Sequence, residues 1–96
     1  MRPDPKRTAQ SRMFKALSHP VRLQIACALR DGEACVCHLE TLLGRRQAYI
    51  SQHLMVLRRA RILTERRQGA YVFYRLAPGP AARVLLALEQ PASRAR

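Results

Sequence analysis

The sequence predicts a mostly α-helical domain with a small β-hairpin, five helices and the hairpin in all. Three observations carry that expectation. Apolar residues recur at helical spacing in five segments, and Gly or Pro punctuates their ends. One stretch, ILTERRQGAYVFYRL, changes to strand-forming residues on both sides of a glycine. At 96 residues the chain reads as one domain, near the small end of what buries its own core, and 48% hydrophobic residues are enough to build one.

Each element has a local reason. Residues 1–7 and 91–96 read as mobile tails, the first of them basic, with 8–90 the folded domain. Residues 8–17 form a first helix through Met13, Phe14 and Leu17, stopped by SHP because the residue before Pro20 is pushed out of the α region. Ser18 can cap a second helix over Pro20–Arg30 that buries Val21, Ile25, Ala28 and Leu29 and ends at Asp31-Gly32. A short third helix, 37–43, runs through Leu39, Leu42 and Leu43 to Gly44. A fourth, Gln47–Arg59, turns Ile50, Leu54 and Leu57 inward. The hairpin follows, turning at Gln68-Gly69, and Pro78 and Pro80 open a last helix, 81–90, apolar at Val84, Leu85 and Leu88. Helix, glycine turn, helix and then a basic hairpin is the order of a winged helix-turn-helix.

Charge narrows the partners. Eighteen Lys+Arg against 6 Asp+Glu give a net charge of +12, and Arg supplies 16 of the cations. That field attracts polyanions, and Arg is the better fork for phosphate and guanine edges. Aromatic residues are 5% and Trp is absent, which argues against a stacking platform for single strands. There is no secretory signal and no run near the ~20 apolar residues of a membrane span, so a cytoplasmic location without a membrane partner is expected. Paired carboxylates, a Gly-rich phosphate loop and a Ser/His/Asp set are all missing. The expectation is therefore a non-enzyme with neither organic cofactor nor small-molecule substrate.

With Ile50, Leu54 and Leu57 inward, the fourth helix turns Ala48, Gln52, Met55 and Arg59 outward, flanked by Tyr49, Ser51 and Val56. Small or polar side chains near its start suit the major groove of double-stranded DNA. Gln47 and Gln52 match adenine, Tyr49 and Ser51 match phosphate or base edges, and Ala48 matches a thymine methyl. Arg45 and Arg46 stand where they anchor the backbone at a helix N-terminus. Arg66 and Arg67 reach phosphate or the minor groove from the hairpin, whereas Arg75 either does the same or pairs with Glu65. His53, beside the buried face, reads as a packed side chain.

The segments LSHPVRLQI, EACVCHL, GRRQAYISQHLMVLRRARIL and RRQGAYVFYRL, in this order over residues 17–76, resemble the ArsR/SmtB family of dimeric metal-sensing repressors. The resemblance implies a homodimer on an inverted-repeat operator, its two recognition helices ~34 Å apart. The first and last helices offer Met13, Phe14, Leu17, Val84, Leu85 and Leu88 for the seam; the same six also suit the protomer core.

Three cysteines remain to be explained. An odd number in a chain read as cytosolic favours metal or redox chemistry over a disulfide framework. Inside a helix Cys35 and Cys37 would point ~200° apart, but in an extended or helix-starting segment they point one way and can chelate. The resemblance matches them to the family's two sensor thiolates in the run E-L-C-V-C-D-L. This chain departs from that run with Ala34 for Leu and His38 for Asp, and Glu40 stands where some members carry a third thiol. The third ligand stays open between Cys27, His38 and Glu40. Soft sulfur donors prefer As(III) or Sb(III), then Cd(II) or Pb(II), as the releasing ion. Two alternatives stand beside this: thiols that are simply packed against Leu39, and a thiol-based redox or persulfide sensor on the same fold. The family's other sensor site, on the last helix, would find only Glu89 there, so no zinc site is expected. Derepression is the mechanism these residues suggest, with an ion at Cys35 and Cys37 loosening the grip on DNA.

Overall fold

A computed structural model describes residues 2–89. In chain order it contains α1 (Pro5–Leu17), α2 (Pro20–Arg30), β1 (Ala34–Cys35), α3 (Val36–Leu43), α4 (Gln47–Arg59), β2 (Leu63–Gln68), β3 (Tyr71–Leu76) and α5 (Pro80–Leu88). Five helices and a wing form the expected winged helix-turn-helix. The last expected helical residue, Gln90, and the tail at 91–96 lie outside the described residues.

Several boundaries shift for identifiable reasons. Helix α1 begins at Pro5, so Pro5, Lys6 and Arg7, expected in a mobile tail, are helical. Asp4 caps them by accepting from the Lys6 N–H at 2.9 Å, and Pro5 occupies the first turn, where its missing N–H costs nothing. Ser18 does not cap α2. It closes α1 instead, its hydroxyl donating to the Lys15 carbonyl at 2.9 Å. The α2 cap is His19, whose Nδ1 accepts from the Val21 N–H at 3.1 Å.

The core runs through the middle of every helix. Ile25, Leu39, Ile50, Leu54, Leu57, Ile62 and Leu85 are all but inaccessible, and Ala26 joins them. Helix α2 is the hub, since α1, α4, α5 and β3 all pack on it. That coverage explains why Cys27, expected on a polar and available side, is half-buried and packed on the core. Val21 and Ala28 are only half-buried, and Leu42 on α3 is exposed.

Gly44 joins α3 to α4 in the left-handed region (φ 64°, ψ 33°), its N–H donating to the Glu40 carbonyl at 2.8 Å. This turn sets the angle between the two helices of the helix-turn-helix. The hairpin turns at Gly69-Ala70, one residue later than expected, because Gln68 still pairs with Tyr71. A third strand was not foreseen: β1 pairs antiparallel with β3 (Ala34↔Tyr74, Cys35↔Phe73), giving the sheet order β1-β3-β2.

Of the six apolar residues expected to fill either seam or core, Met13, Leu17 and Leu85 are buried within the protomer and Val84 is half-buried. They are core residues because α1 and α5 each turn one stripe inward. Phe14 (54% exposed) and Leu88 (55%) remain outside, and Leu86 (57%), not singled out in the sequence, joins them.

A Cβ added at Gly44 meets nothing within 4 Å, so Gly44→Ala should cost only the left-handed backbone penalty, ~1 kcal/mol. Urea denaturation measures this; no loss of stability would mean that the α3–α4 turn relaxes out of the left-handed conformation.

Candidate nucleic-acid interface and thiol site

Helix α4 presents the expected outer face. Gln47, Ala48, Gln52, Met55 and Arg59 are exposed, and Tyr49 and Ser51 half-buried. Its N-cap, Arg46, makes no side-chain capping bond, so the first backbone N–H groups are left without that partner. With Arg45 and Arg46 beside it, this helix start is positive in character, which suits an anion. Arg45 also lies over the Tyr49 ring at 4.8 Å, which orients both side chains along the helix face.

Tyr49 in turn meets a packed polar cluster between α2 and α4. Its ring lies edge-on to His53 at 4.8 Å, and His53 lies 4.5 Å from His19. Arg22 Nη1 is 3.4 Å from His53 Nδ1 and its Nε donates to the Ala16 carbonyl at 2.6 Å. Because guanidinium only donates, His53 Nδ1 must be the acceptor, which requires a neutral imidazole with its proton on Nε2. Burial first, then the neighbouring His19, Arg22 and Arg45, hold the His53 pKa below its ordinary value of 6.5. His53 is thus the packed side chain expected.

In the wing, Arg66 is engaged within the protein and Arg75 does not pair with Glu65. Arg66 is not free: it forms a two-pronged pair with Glu33 at 2.7 and 3.0 Å and lies 4.8 Å over the Phe73 ring. Glu65 pairs with Arg58 of α4 (3.7 Å) and not with Arg75, since Arg75 lies opposite Thr64 and takes the other face of the sheet. Arg67 is exposed and has no ion pair among the described residues. Glu33 was missed because its only signal is a carboxylate two residues before CVC; its partner lies thirty-three residues away.

Cys35 and Cys37 converge, as the helix-starting geometry requires. Cys35 is extended (φ −86°, ψ 168°) at the end of β1, Cys37 stands in the first turn of α3, and a disulfide joins them. Cys35 also caps α3, its Sγ accepting from the His38 N–H at 3.4 Å. Both cysteines line a cleft of about 280 Å³ with Glu40, the α4 residues Gln47 and Ser51, and Tyr71, Val72 and Tyr74 of the wing. Tyr74 is partly buried there, and burial followed by the nearby Glu65 raises its pKa.

The third donor does not assemble. Among the described residues no three His, Cys, Asp or Glu side chains lie close enough to hold a metal ion. Cys27 is packed on the core and does not line the cleft, His38 is exposed, and Glu40 is the one harder donor within it. With the sulfurs reduced, the donor set fits a two-sulfur site for a soft ion. It does not build a three-sulfur site within one protomer. Glu89, on the residue after α5, is paired with Arg30 at 3.3 Å.

The model of bacterial regulatory proteins of the arsR family matches residues 19–65, which span α2 to the middle of the wing's first strand. The biofilm growth-associated repressor of Agrobacterium fabrum is 49% identical over 76 residues, 79% of this chain and 65% of that protein. The arsenical resistance operon repressor of Escherichia coli is 46% identical over 67 residues, 69% of this chain and 57% of that protein. Among solved structures, the transcriptional repressor BigR from Xylella fastidiosa superposes with a TM-score of 0.80 at 41% identity, covering 86% of this chain and 85% of that one.

The chain belongs to the arsR family.

It spans less than two thirds of the length of the Agrobacterium and Escherichia relatives. Among the described residues of this arsR-family chain, no helix is long and apolar enough to cross a membrane.

A histidine pKa lowered on folding means that the unfolded chain binds more protons in that range. The contribution of His53 is then fully present above its free value of 6.5 and is lost as the pH falls from there through its lower folded-state value. Denaturation from about pH 7.5 down to about pH 5.5 should therefore weaken the wild type more than His53→Gln. Equal pH dependence would exclude His53 as the titrating group.

Proposed function

We propose that this arsR-family chain is a transcriptional repressor that binds double-stranded operator DNA as a homodimer and is released by chemistry at Cys35 and Cys37. One observation carries the reading: the sulfur pair, the start of α4 and the wing share a single cleft. Whatever moves Cys35 acts on both elements expected to touch DNA.

Gln47, Ala48, Gln52 and Arg59 face the major groove, with Tyr49 and Ser51 at its edge, while Arg45 and Arg46 hold the backbone at the α4 N-terminus. Arg67 reaches down from the wing. The apolar residues left outside on α1 and α5, Phe14, Leu86 and Leu88, form the seam between protomers, with Val84 at its margin. A dimer is needed because one protomer this small spans only a few base pairs. Its two-fold symmetry calls for an inverted repeat.

In the reduced state Cys35 and Cys37 offer two soft donors, suited first to As(III) or Sb(III) and next to Cd(II) or Pb(II). A centre held by both sulfurs sits in the cleft they share with the start of α4 and the wing, where it adds bulk and charge between those two elements. A coupling of about 3 kcal/mol lowers DNA affinity over a hundredfold. The name of the Escherichia relative, an arsenical resistance repressor, supports this choice of ion.

A second reading is favoured by the bond between the two sulfurs. Two thiols that meet this way can be a redox switch. The pair gives two electrons and two protons to hydrogen peroxide, which leaves as two waters while the disulfide forms.

Fluorescence anisotropy on the DNA upstream of the chain's own gene separates the readings. With the protein reduced and bound, arsenite, antimonite, cadmium, lead, zinc and peroxide are each titrated. Release by a thiophilic ion and not by zinc or peroxide is expected. Cys35→Ser/Cys37→Ser should bind within about threefold of wild type and resist release. Release of that variant at wild-type concentrations would remove the thiols from the mechanism, and release by peroxide alone would make them a redox switch.

A further inference from the structure

The wing carries an arginine already occupied by the protein's own carboxylate. Arg66 lies in β2, opposite Phe73. Its Nη2 donates to Glu33 Oε1 at 2.7 Å and its Nε to Glu33 Oε2 at 3.0 Å, while Nη1 donates to Gln68 Oε1 at 2.6 Å. This is the shortest ion pair among the described residues. Glu33 stands just before β1, which the ladder fixes to β3, and Arg66 lies on the opposite neighbour of β3. The pair therefore straddles the central strand of the sheet.

Two features suit such a pair to exchange. A carboxylate offers guanidinium the same two-oxygen fork as a phosphodiester, so one ligand can replace the other without rebuilding the arginine. Both side chains also reach solvent, Arg66 46% and Glu33 30% exposed, and water and salt screen the attraction between them. A dense row of phosphates competes well against one screened carboxylate.

We propose that Glu33 is an internal stand-in for DNA phosphate, holding Arg66 in the free protein and surrendering it to the backbone when DNA binds. Glu33 is thereby a positioning residue that lowers affinity for any duplex and keeps the wing arginine ordered until it is needed. The inference rests on the DNA-binding reading above.

The test is anisotropy on the same upstream duplex over a range of salt, with all proteins reduced. Glu33→Gln should tighten binding about three- to tenfold and leave the salt slope unchanged, because Arg66 meets phosphate in both proteins. Arg66→Ala should weaken binding and flatten the slope by about 1. Glu33→Gln/Arg66→Ala should match Arg66→Ala alone, the gain having no arginine to act through. Asp31→Asn removes the same charge from the same loop and should change affinity less than about twofold. The proposal is overturned if Glu33→Gln gains no more than Asp31→Asn, if it binds more weakly than wild type, or if its gain survives without Arg66. A wild type that binds no duplex even at low salt would sink the DNA-binding reading, and this inference with it.

Discussion

The fold depends on what one residue does at the end of a two-residue strand. Cys35 closes β1 opposite Phe73, caps α3 through its sulfur, and meets Cys37 in the first turn of that helix. A strand end holds it extended, and the helix start behind it turns the next thiol to the same side. Without β1 the wing would be a two-stranded hairpin tied to the body mainly through α2 and α4, and a two-stranded hairpin has little stability alone. The pairing that docks the wing also places the two joined sulfurs.

Electrostatics follow a similar economy. The chain has only six carboxylates, and five have an identified task. Asp4 caps α1, while Asp31, Glu33, Glu65 and Glu89 each face an arginine. Glu40 alone lines the thiol cleft. Few acids are left to interrupt the positive surface around the start of α4. The same pairing makes some of that surface conditional, since Arg58 and Arg66, though basic in the sequence, are both engaged within the protein.

The residues differ in how far the sequence alone reveals them. Helices α2 and α4 match their expected bounds because one apolar stripe and clear end signals define each. Ile50, Leu54 and Leu57 face inward for that reason. Periodicity fails where a helix is covered on several sides. Cys27 looks polar-facing on a single wheel, yet α2 is wrapped by four elements. An apolar stripe does not say which neighbour covers it, so the sequence leaves seam and core open for all six residues, whereas in the protomer Met13, Leu17 and Leu85 are buried and Phe14 and Leu88 are not. Two residues are too few to register as a strand, which hid β1. The Glu33–Arg66 pair, thirty-three residues apart, has no local signature at all. The convergence of Cys35 and Cys37 was legible because spacing two is informative about backbone conformation. The absence of a third donor beside them among the described residues was not, because ligand sets are gathered by tertiary structure.

On the proposed function, chemistry at the sulfur pair is felt by both the wing and the recognition helix. Backbone hydrogen exchange on the reduced protein, with and without arsenite, tests it most directly. Altered protection is expected at Cys35, Phe73 and Tyr74 and in the first turn of α4, with little change in α1 and α5. Changes confined to α3, with the wing and α4 untouched, would contradict it.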